Sequence, residues 1–167
     1  PVSFSISMMA FLIGLAIGIP LGILSAVKQY SVIDITLTTI ALFLAAVPGF
    51  VLALLCILLF CVRLKWLPIS GLTSLKHYIL PVGTSVMGGI AAMMRMTRTT
   101  MLEVIRQDYI RTARAKGLKE SVILRRHALK NCMIPLVTVI GGAMAMTIMG
   151  SVIVETLFGI PGMGLYM

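Results

Sequence analysis

Four long stretches without a charged residue constrain the fold of this chain more than any other feature. They cover residues 4–27, 35–62, 78–94 and 132–154. A helix of roughly 20 residues crosses the hydrocarbon core of a bilayer, and backbone polar groups find no partner in lipid. None of the stretches alternates apolar and polar residues as a membrane strand does. The sequence therefore predicts an all-α, polytopic integral membrane bundle with four spans, of which the third is the shortest.

The charged residues are few and unevenly placed. Only 11% of the residues are charged and 59% are hydrophobic, whereas an ordinary soluble domain carries about 25% charged residues. The net charge of the chain is +9, and ten of its 14 Lys and Arg residues lie between positions 95 and 130. Because basic residues mark cytoplasmic loops, this clustering indicates a cytoplasmic loop over 95–131 and no nucleic-acid partner.

The same rule gives a topology for the rest of the chain. If 95–131 is cytoplasmic, the loop at 28–34 is also inside, and residues 63–76 and 155–167 are outside. The sequence begins without Met and stops after a loop rich in Gly and Pro. We therefore expect it to be a fragment, with at least one further helix after the fourth span.

Proline and glycine have clear positions in the spans. Gly14, Gly18 and Gly22 recur every fourth residue and predict close approach of another helix, from this chain or from a second subunit. Prolines that kink helices suit a transporter, but proline is also common in membrane helices generally, so both interpretations stay open. Each span holds one of these prolines: Pro20, Pro48, Pro81 and Pro135.

No pattern indicates chemistry within this chain. A phosphate-binding G-x-x-x-x-G-K-[ST] loop, a G-x-S-x-G elbow and a metal-binding histidine pair are all missing from the sequence. The only acid expected near a span is Glu155. We therefore predict a protein that is not an enzyme and holds no metal or cofactor. Three cysteines lie in apolar spans without C-x-x-C spacing and are predicted to be inert: Cys56, Cys61 and Cys132.

The segment from Glu103 to Asn131 carries the most information. Its helical period breaks at Gly117. From Leu118 to Lys130 apolar residues lie among charged ones, as expected for an amphipathic helix. Such a helix lies on a membrane surface or docks in a groove of another protein. The alternative is a solvated basic loop attracted to anionic lipid.

The order of residues in this segment resembles the cytoplasmic loop of ABC importer permeases. The sequence D-Y-x-R-T-A-R-A-K-G-L runs from Asp108 to Leu118, and R-H-A-L-x-N follows from Arg126 to Asn131. Both are similar to the dipeptide, oligopeptide and nickel permease family. Of the general motif E-A-A, three residues, Gly, nine residues, I-x-L-P, only three positions match: Ala113, Gly117 and Leu129. Further matches lie along the chain, among them Pro48-Gly49-Phe50, Trp66-Leu67-Pro68, Arg95-Met96-Thr97-Arg98 and Glu155-Thr156-Leu157-Phe158.

The resemblance implies a type I ABC importer permease, the first of two in such a system, with the four spans as helices two to five of six. It implies import of di- or oligopeptides across the bacterial plasma (inner) membrane; nickel, metal-chelate or glutathione import and, more distantly, a secondary transporter are the alternatives. The implied partners are a second homologous permease, two ATPase subunits that bind the ATP and Mg²⁺, an extracellular or periplasmic solute-binding protein, and the lipid bilayer.

The resemblance implies one group of site residues and the predicted topology a second, and neither names a substrate-binding residue. A short coupling helix after the Gly117 turn would contact the ATPase. The coupling-loop residues are Asp108, Tyr109, Arg111, Ala113, Arg114, Lys116, Gly117, Leu118, Glu120, His127, Leu129 and Asn131. The residues of a candidate outer gate, at the face where a solute-binding protein would deliver substrate, are Glu155, Phe158, Pro161, Gly162 and Gly164. The alternative is that Glu155 only caps or pairs at a helix end near the interface.

Overall fold

The computed structural model describes residues 2–69, 74–148 and 152–160, and these residues are helical apart from short turns and loops. The first half contains α1 (Val2–Val27), α2 (Val32–Ala46) and α3 (Gly49–Cys56), which continues as a π-helical segment, Ile57–Arg63. The second half contains α4 (Lys76–Ile105), α5 (Asp108–Ala115), α6 (Glu120–Val122), a π-helical segment (Ile123–Ala128), α7 (Leu129–Ile148) and α8 (Val152–Leu157).

Several of these helices are long and apolar enough to cross a membrane. Three qualify singly, namely α1, α4 and the continuous helix Glu120–Ala145. A fourth span is formed if α2 and the helix Gly49–Arg63 count together, although they meet at an angle of 95°. The prediction of an all-α, polytopic membrane protein is confirmed.

The glycine stripe of α1 packs against α4. A Cβ on Gly14 would lie 3.5 Å from Gly89, whereas one on Gly18 would lie 2.7 Å from the Met93 Cβ. Because successive glycines of α1 meet successively later residues of α4, the two helices run parallel. The predicted close helix approach is confirmed, and the partner helix belongs to the same chain.

Three apolar clusters follow one another along the bundle. The cluster at one end includes Ile6 of α1, Leu80 of α4 and Phe158, which follows α8. The middle cluster contains Ala41, Ala91 and Met94. At the other end, helix α5 and the start of the last long helix join the bundle through buried residues: Ala26, Met101, Ile110, Ala113, Ile123, Ala128, Cys132 and Leu136.

The second predicted span, 35–62, was wrong as a single helix. The helix stops at Ala46, and Val47 has an extended backbone with φ −86° and ψ 122°. The ring of Pro48 disfavours a helical conformation for the residue before it, which accounts for the break. The other three span prolines lie inside helices: Pro20, Pro81 and Pro135.

The helix of the third predicted span extends beyond its predicted end. The prediction placed the end of the span near Met94 and the loop from residue 95, but α4 continues without interruption to Ile105. Charge was therefore a poor guide to the end of this helix. Arg98 illustrates why, because an arginine that has an acidic partner can stay within a helix packed against others.

Candidate functional site

Helix α5 forms the core of the predicted coupling loop. It begins after Gln107, whose backbone is extended, and it carries Asp108 in its first turn and Arg114 in its last. These charges suit the helix dipole at each end. Ile110 and Ala113 are buried against the bundle, whereas the other residues of α5 are exposed. The helix therefore lies on the end of the bundle with a polar face open.

The turn after α5 has a defined geometry. Gly117 has φ +76°, in the left-handed region that favours glycine. Its N–H donates to the Arg114 carbonyl at 2.9 Å, and the Leu118 N–H donates to the Ala113 carbonyl at 3.4 Å. This pair of hydrogen bonds is the Schellman motif that ends many helices. The predicted break of the helical period at Gly117 is confirmed.

An ion pair bridges the turn. The guanidinium of Arg114 donates to Glu120 through Nη2 to Oε1 at 2.7 Å and through Nε to Oε2 at 3.2 Å. The hydrogen bond to Glu120 raises the pKa of the Arg114 guanidinium above its ordinary value. This two-point contact ties the end of α5 to the first residue of α6.

The other predicted loop residues occupy two environments. Arg111 and Asp108 approach at 3.7 Å but are both strongly exposed, so this pair is weak. The side chains of Tyr109, Lys116 and Leu118 are also exposed. The remaining three, His127, Leu129 and Asn131, are half-buried in the helix that follows, where Asn131 donates to the His127 carbonyl at 3.0 Å.

The predicted amphipathic helix Leu118–Lys130 does not exist as a separate element. The helix starts at Glu120 and continues through the π-helical segment into α7. Its buried residues Ile123 and Ala128 pack with α5 and the bundle, which explains the apolar positions among the charges. The short charged helix of this region is α5, on the other side of Gly117.

A buried ion pair between α2 and α4 was not predicted, because only Glu155 was expected as an acid near a span. The Asp34 carboxylate accepts from Arg98 Nε at 2.7 Å and from Arg98 Nη2 at 2.8 Å. It also accepts from the Ser25 hydroxyl of α1 and, at 3.0 Å, from the Tyr30 N–H. The 64 positions between the two charged residues hide this pairing from any local sequence pattern.

The candidate outer gate lies at the opposite end of the bundle from α5. Glu155 and Phe158 are buried, and Phe158 packs in the cluster that holds Ile6 and Leu80. Glu155 shares a cavity of about 10 Å³, enough for roughly one water molecule, with hydroxyl residues of α1 and α4: Ser3, Ser7 and Ser85. Pro161, Gly162 and Gly164 lie outside the described residues.

A larger cavity adjoins the break between α2 and α3. It has a volume of about 500 Å³ and is lined by Pro48, Gly49, Thr84, Ser85 and Gly88, with apolar neighbours. The Thr84 hydroxyl donates its hydrogen to the Leu80 carbonyl at 2.9 Å, and the lone pairs of its oxygen can still accept. Across the described ranges, no three His, Cys, Asp or Glu residues are grouped to hold a metal ion.

Comparison with known proteins identifies the family. The profile of the family described as "binding-protein-dependent transport system inner membrane component" matches residues 18–167. The chain belongs to this family. The predicted family resemblance is confirmed, and relatives named as peptide transport permeases match along nearly the whole chain.

Three relatives illustrate the similarity. The chain is 41% identical to the dipeptide transport system permease protein DppB of Bacillus subtilis over 166 residues, 99% of this chain and 54% of the relative. It is 40% identical to the oligopeptide transport system permease protein OppB of Salmonella typhimurium, over 98% of this chain and 54% of that protein. A putative peptide permease protein of Brucella suis is 40% identical over 92% of this chain and 51% of its own length. The chain therefore spans about half the length of these relatives.

Proposed function

We propose that this protein is the membrane-spanning permease subunit of an ATP-driven importer of di- or oligopeptides. The observation that carries the proposal is the placement of α5. Its buried residues Ile110 and Ala113 anchor it to the bundle, and its exposed charged face is presented beside a Gly117 turn. A helix held in this way can transmit a force from a partner protein to the membrane helices.

The proposed partner at α5 is an ATPase subunit of the importer. In this arrangement the exposed residues Tyr109, Arg111 and Lys116 contact the ATPase, beside the turn that the Arg114–Glu120 pair bridges. ATP and Mg²⁺ are bound and ATP is hydrolysed by two such subunits, so the permease itself performs no chemistry. A second homologous permease completes the membrane pathway.

The relatives support the proposed substrate and location. The names of the Bacillus and Salmonella proteins refer to dipeptide and oligopeptide transport, and we extend a peptide substrate to this chain. The family description refers to an inner membrane component that depends on a binding protein. We accordingly place the protein in the bacterial inner membrane and propose that a solute-binding protein delivers peptides at the end that carries Glu155.

The test is reconstitution of the full-length protein with its second permease and ATPases in proteoliposomes. Uptake of a labelled dipeptide and a labelled pentapeptide is measured with ATP, with a non-hydrolysable analogue, and without the binding protein. We expect uptake only with hydrolysable ATP and binding protein. An assembled complex that takes up Ni²⁺ or a metal chelate and neither peptide would refute the substrate, and failure to assemble with any ATPase would refute the permease assignment.

A further inference from the structure

The buried contact between Asp34 and Arg98 lies on a continuous path between α5 and the broken second span. Arg98 stands about two turns before the C-terminal end of α4, and only Arg106 and Gln107 separate that helix from α5. A displacement of α5 therefore acts directly on the helix that carries Arg98. Resting on the proposed function, we infer that Asp34 and Arg98 form a positioning contact that passes movement of α5 to α2.

A second path leads from α5 to the same carboxylate. Ile110 is buried in one cluster with Met101 of α4 and Ala26 of α1. The neighbour of Ala26 in the chain is Ser25, and its hydroxyl donates to Asp34. Movement of α5 thus reaches Asp34 both through α4 and through the end of α1.

The geometry of the contact suits it for transmitting movement. The guanidinium of Arg98 meets both carboxylate oxygens of Asp34, and such a fork opposes rotation and sliding of one helix on another. Asp34 is also fixed locally, because the Tyr30 N–H donates to it and Ser31 caps its helix. Helix α2 therefore moves with α4 when the fork stays closed.

The far end of α2 is the part of the bundle where such movement has an effect. The helix stops at Ala46, and the break at Pro48 opens on the cavity of about 500 Å³ lined by Thr84 and Ser85. Irregular backbone at membrane depth is tolerated where it lines a cavity. The cavity is also lined by Leu52 of α3 and Val154 of α8, so joint movement of α2 and α4 relative to those helices changes its shape.

The competing explanation is that the ion pair only holds the fold together. Replacing both members of a buried ion pair by apolar residues is often neutral or stabilising, whereas removing one member leaves an unpaired buried charge. The double variant Asp34→Leu with Arg98→Met therefore separates the two roles. Arg98→Lys keeps the charge but loses the fork, and Arg95→Lys, at an exposed position one turn earlier, is the matched control.

The experiment uses the full-length protein in the assembled importer in proteoliposomes, and it measures dipeptides imported per ATP hydrolysed together with the unfolding temperature. We expect the double variant to assemble and unfold near the wild-type temperature while its import per ATP falls about fivefold or more. Arg98→Lys should lower the ratio to a smaller extent, and Arg95→Lys should leave it unchanged.

Three results would overturn the inference. A double variant with the wild-type ratio would show that the pair is only structural, and a double variant that cannot assemble would show that folding requires it; either result overturns the inference. Equal losses in Arg98→Lys and Arg95→Lys would also overturn it. A wild-type complex without ATP-driven uptake would instead refute the proposed function, and the inference with it.

Discussion

Gly22 of α1 lies so close to Thr97 of α4 that a Cβ on the glycine would stand 2.6 Å from the Thr97 Cβ. The same Cβ would stand 2.6 Å from the backbone oxygen of Met94, which cannot rotate away. At Gly14, eight residues earlier, the nearest atom would be 3.5 Å away, an ordinary contact. The two parallel helices are thus in closer contact toward the end of the bundle that holds α5.

The first prediction concerns this contact. Gly22→Ala should lower the free energy of unfolding by about 1–3 kcal/mol, because α1 and α4 must separate to admit the methyl group. Gly14→Ala is the matched control and should be neutral or slightly stabilising, since alanine favours helix and the site has room. Thermal unfolding of the purified full-length protein in one detergent measures both. Equal stability of the two variants would contradict the packing described for Gly22.

The second prediction concerns the turn after α5. Among the described residues other than its chain neighbours, no atom lies within 4 Å of a Cβ placed on Gly117, so the barrier to substitution that the structure shows is its positive φ. Asparagine tolerates this conformation and β-branched residues do not. We expect Gly117→Asn to retain most ATP-dependent peptide uptake and Gly117→Val to lose at least about tenfold, at equal amounts of protein in the membrane. Equal uptake by the two variants would show that the turn geometry is irrelevant to transport.

The third prediction tests how α5 is anchored. Ile110 is fully buried, so Ile110→Ala should create a cavity and cost about 2–4 kcal/mol. The neighbouring Arg111 is exposed, and Arg111→Ala should change the free energy of unfolding by no more than about 0.5 kcal/mol. Exchange of the backbone amide hydrogens of α5 should be faster in Ile110→Ala than in the wild type, and it should be unchanged in Arg111→Ala. Unchanged exchange in Ile110→Ala would mean that α5 is held by other contacts.

The fourth prediction concerns the ion pair across the Gly117 turn. Arg114 and Glu120 are about half exposed, and exposed pairs contribute little to stability. A double-mutant cycle with Arg114→Ala and Glu120→Ala should give a coupling energy of about 1 kcal/mol or less, and this energy should shrink in high salt. A larger coupling energy that does not change with salt concentration would show that the pair is shielded from solvent more than its exposure indicates.

The sequence predicts the helical class and the close packing of α1 because both depend on local composition. Long uncharged stretches have few structural solutions in lipid, and glycines spaced by four residues necessarily share one helix face. The turn at Gly117 was also predictable, since glycine breaks a helical period where other residues continue it. These features need no knowledge of how distant segments meet.

The features that were missed depend on tertiary contacts or on a neighbouring residue. Asp34 and Arg98 are charged residues beside predicted spans, and only the packed bundle shows that they neutralise each other. The break at Pro48 does have a local signal in the sequence. It is the only one of the four span prolines followed directly by glycine, and Pro-Gly is a strong turn signal. The end of α4 was misplaced because Arg95 and Arg98 were assigned to a loop.

The uninterrupted helix from Glu120 has a mechanical consequence. Glu120 is held by Arg114 of α5, and the 26 residues from Glu120 to Ala145 form one helix. At 1.5 Å per residue such a helix is about 39 Å long, so a tilt of about 5° at its charged end displaces its other end by about 3 Å. The helix thus acts as a lever arm. A small tilt at its charged end becomes a displacement at its other end that is comparable to the width of a water molecule.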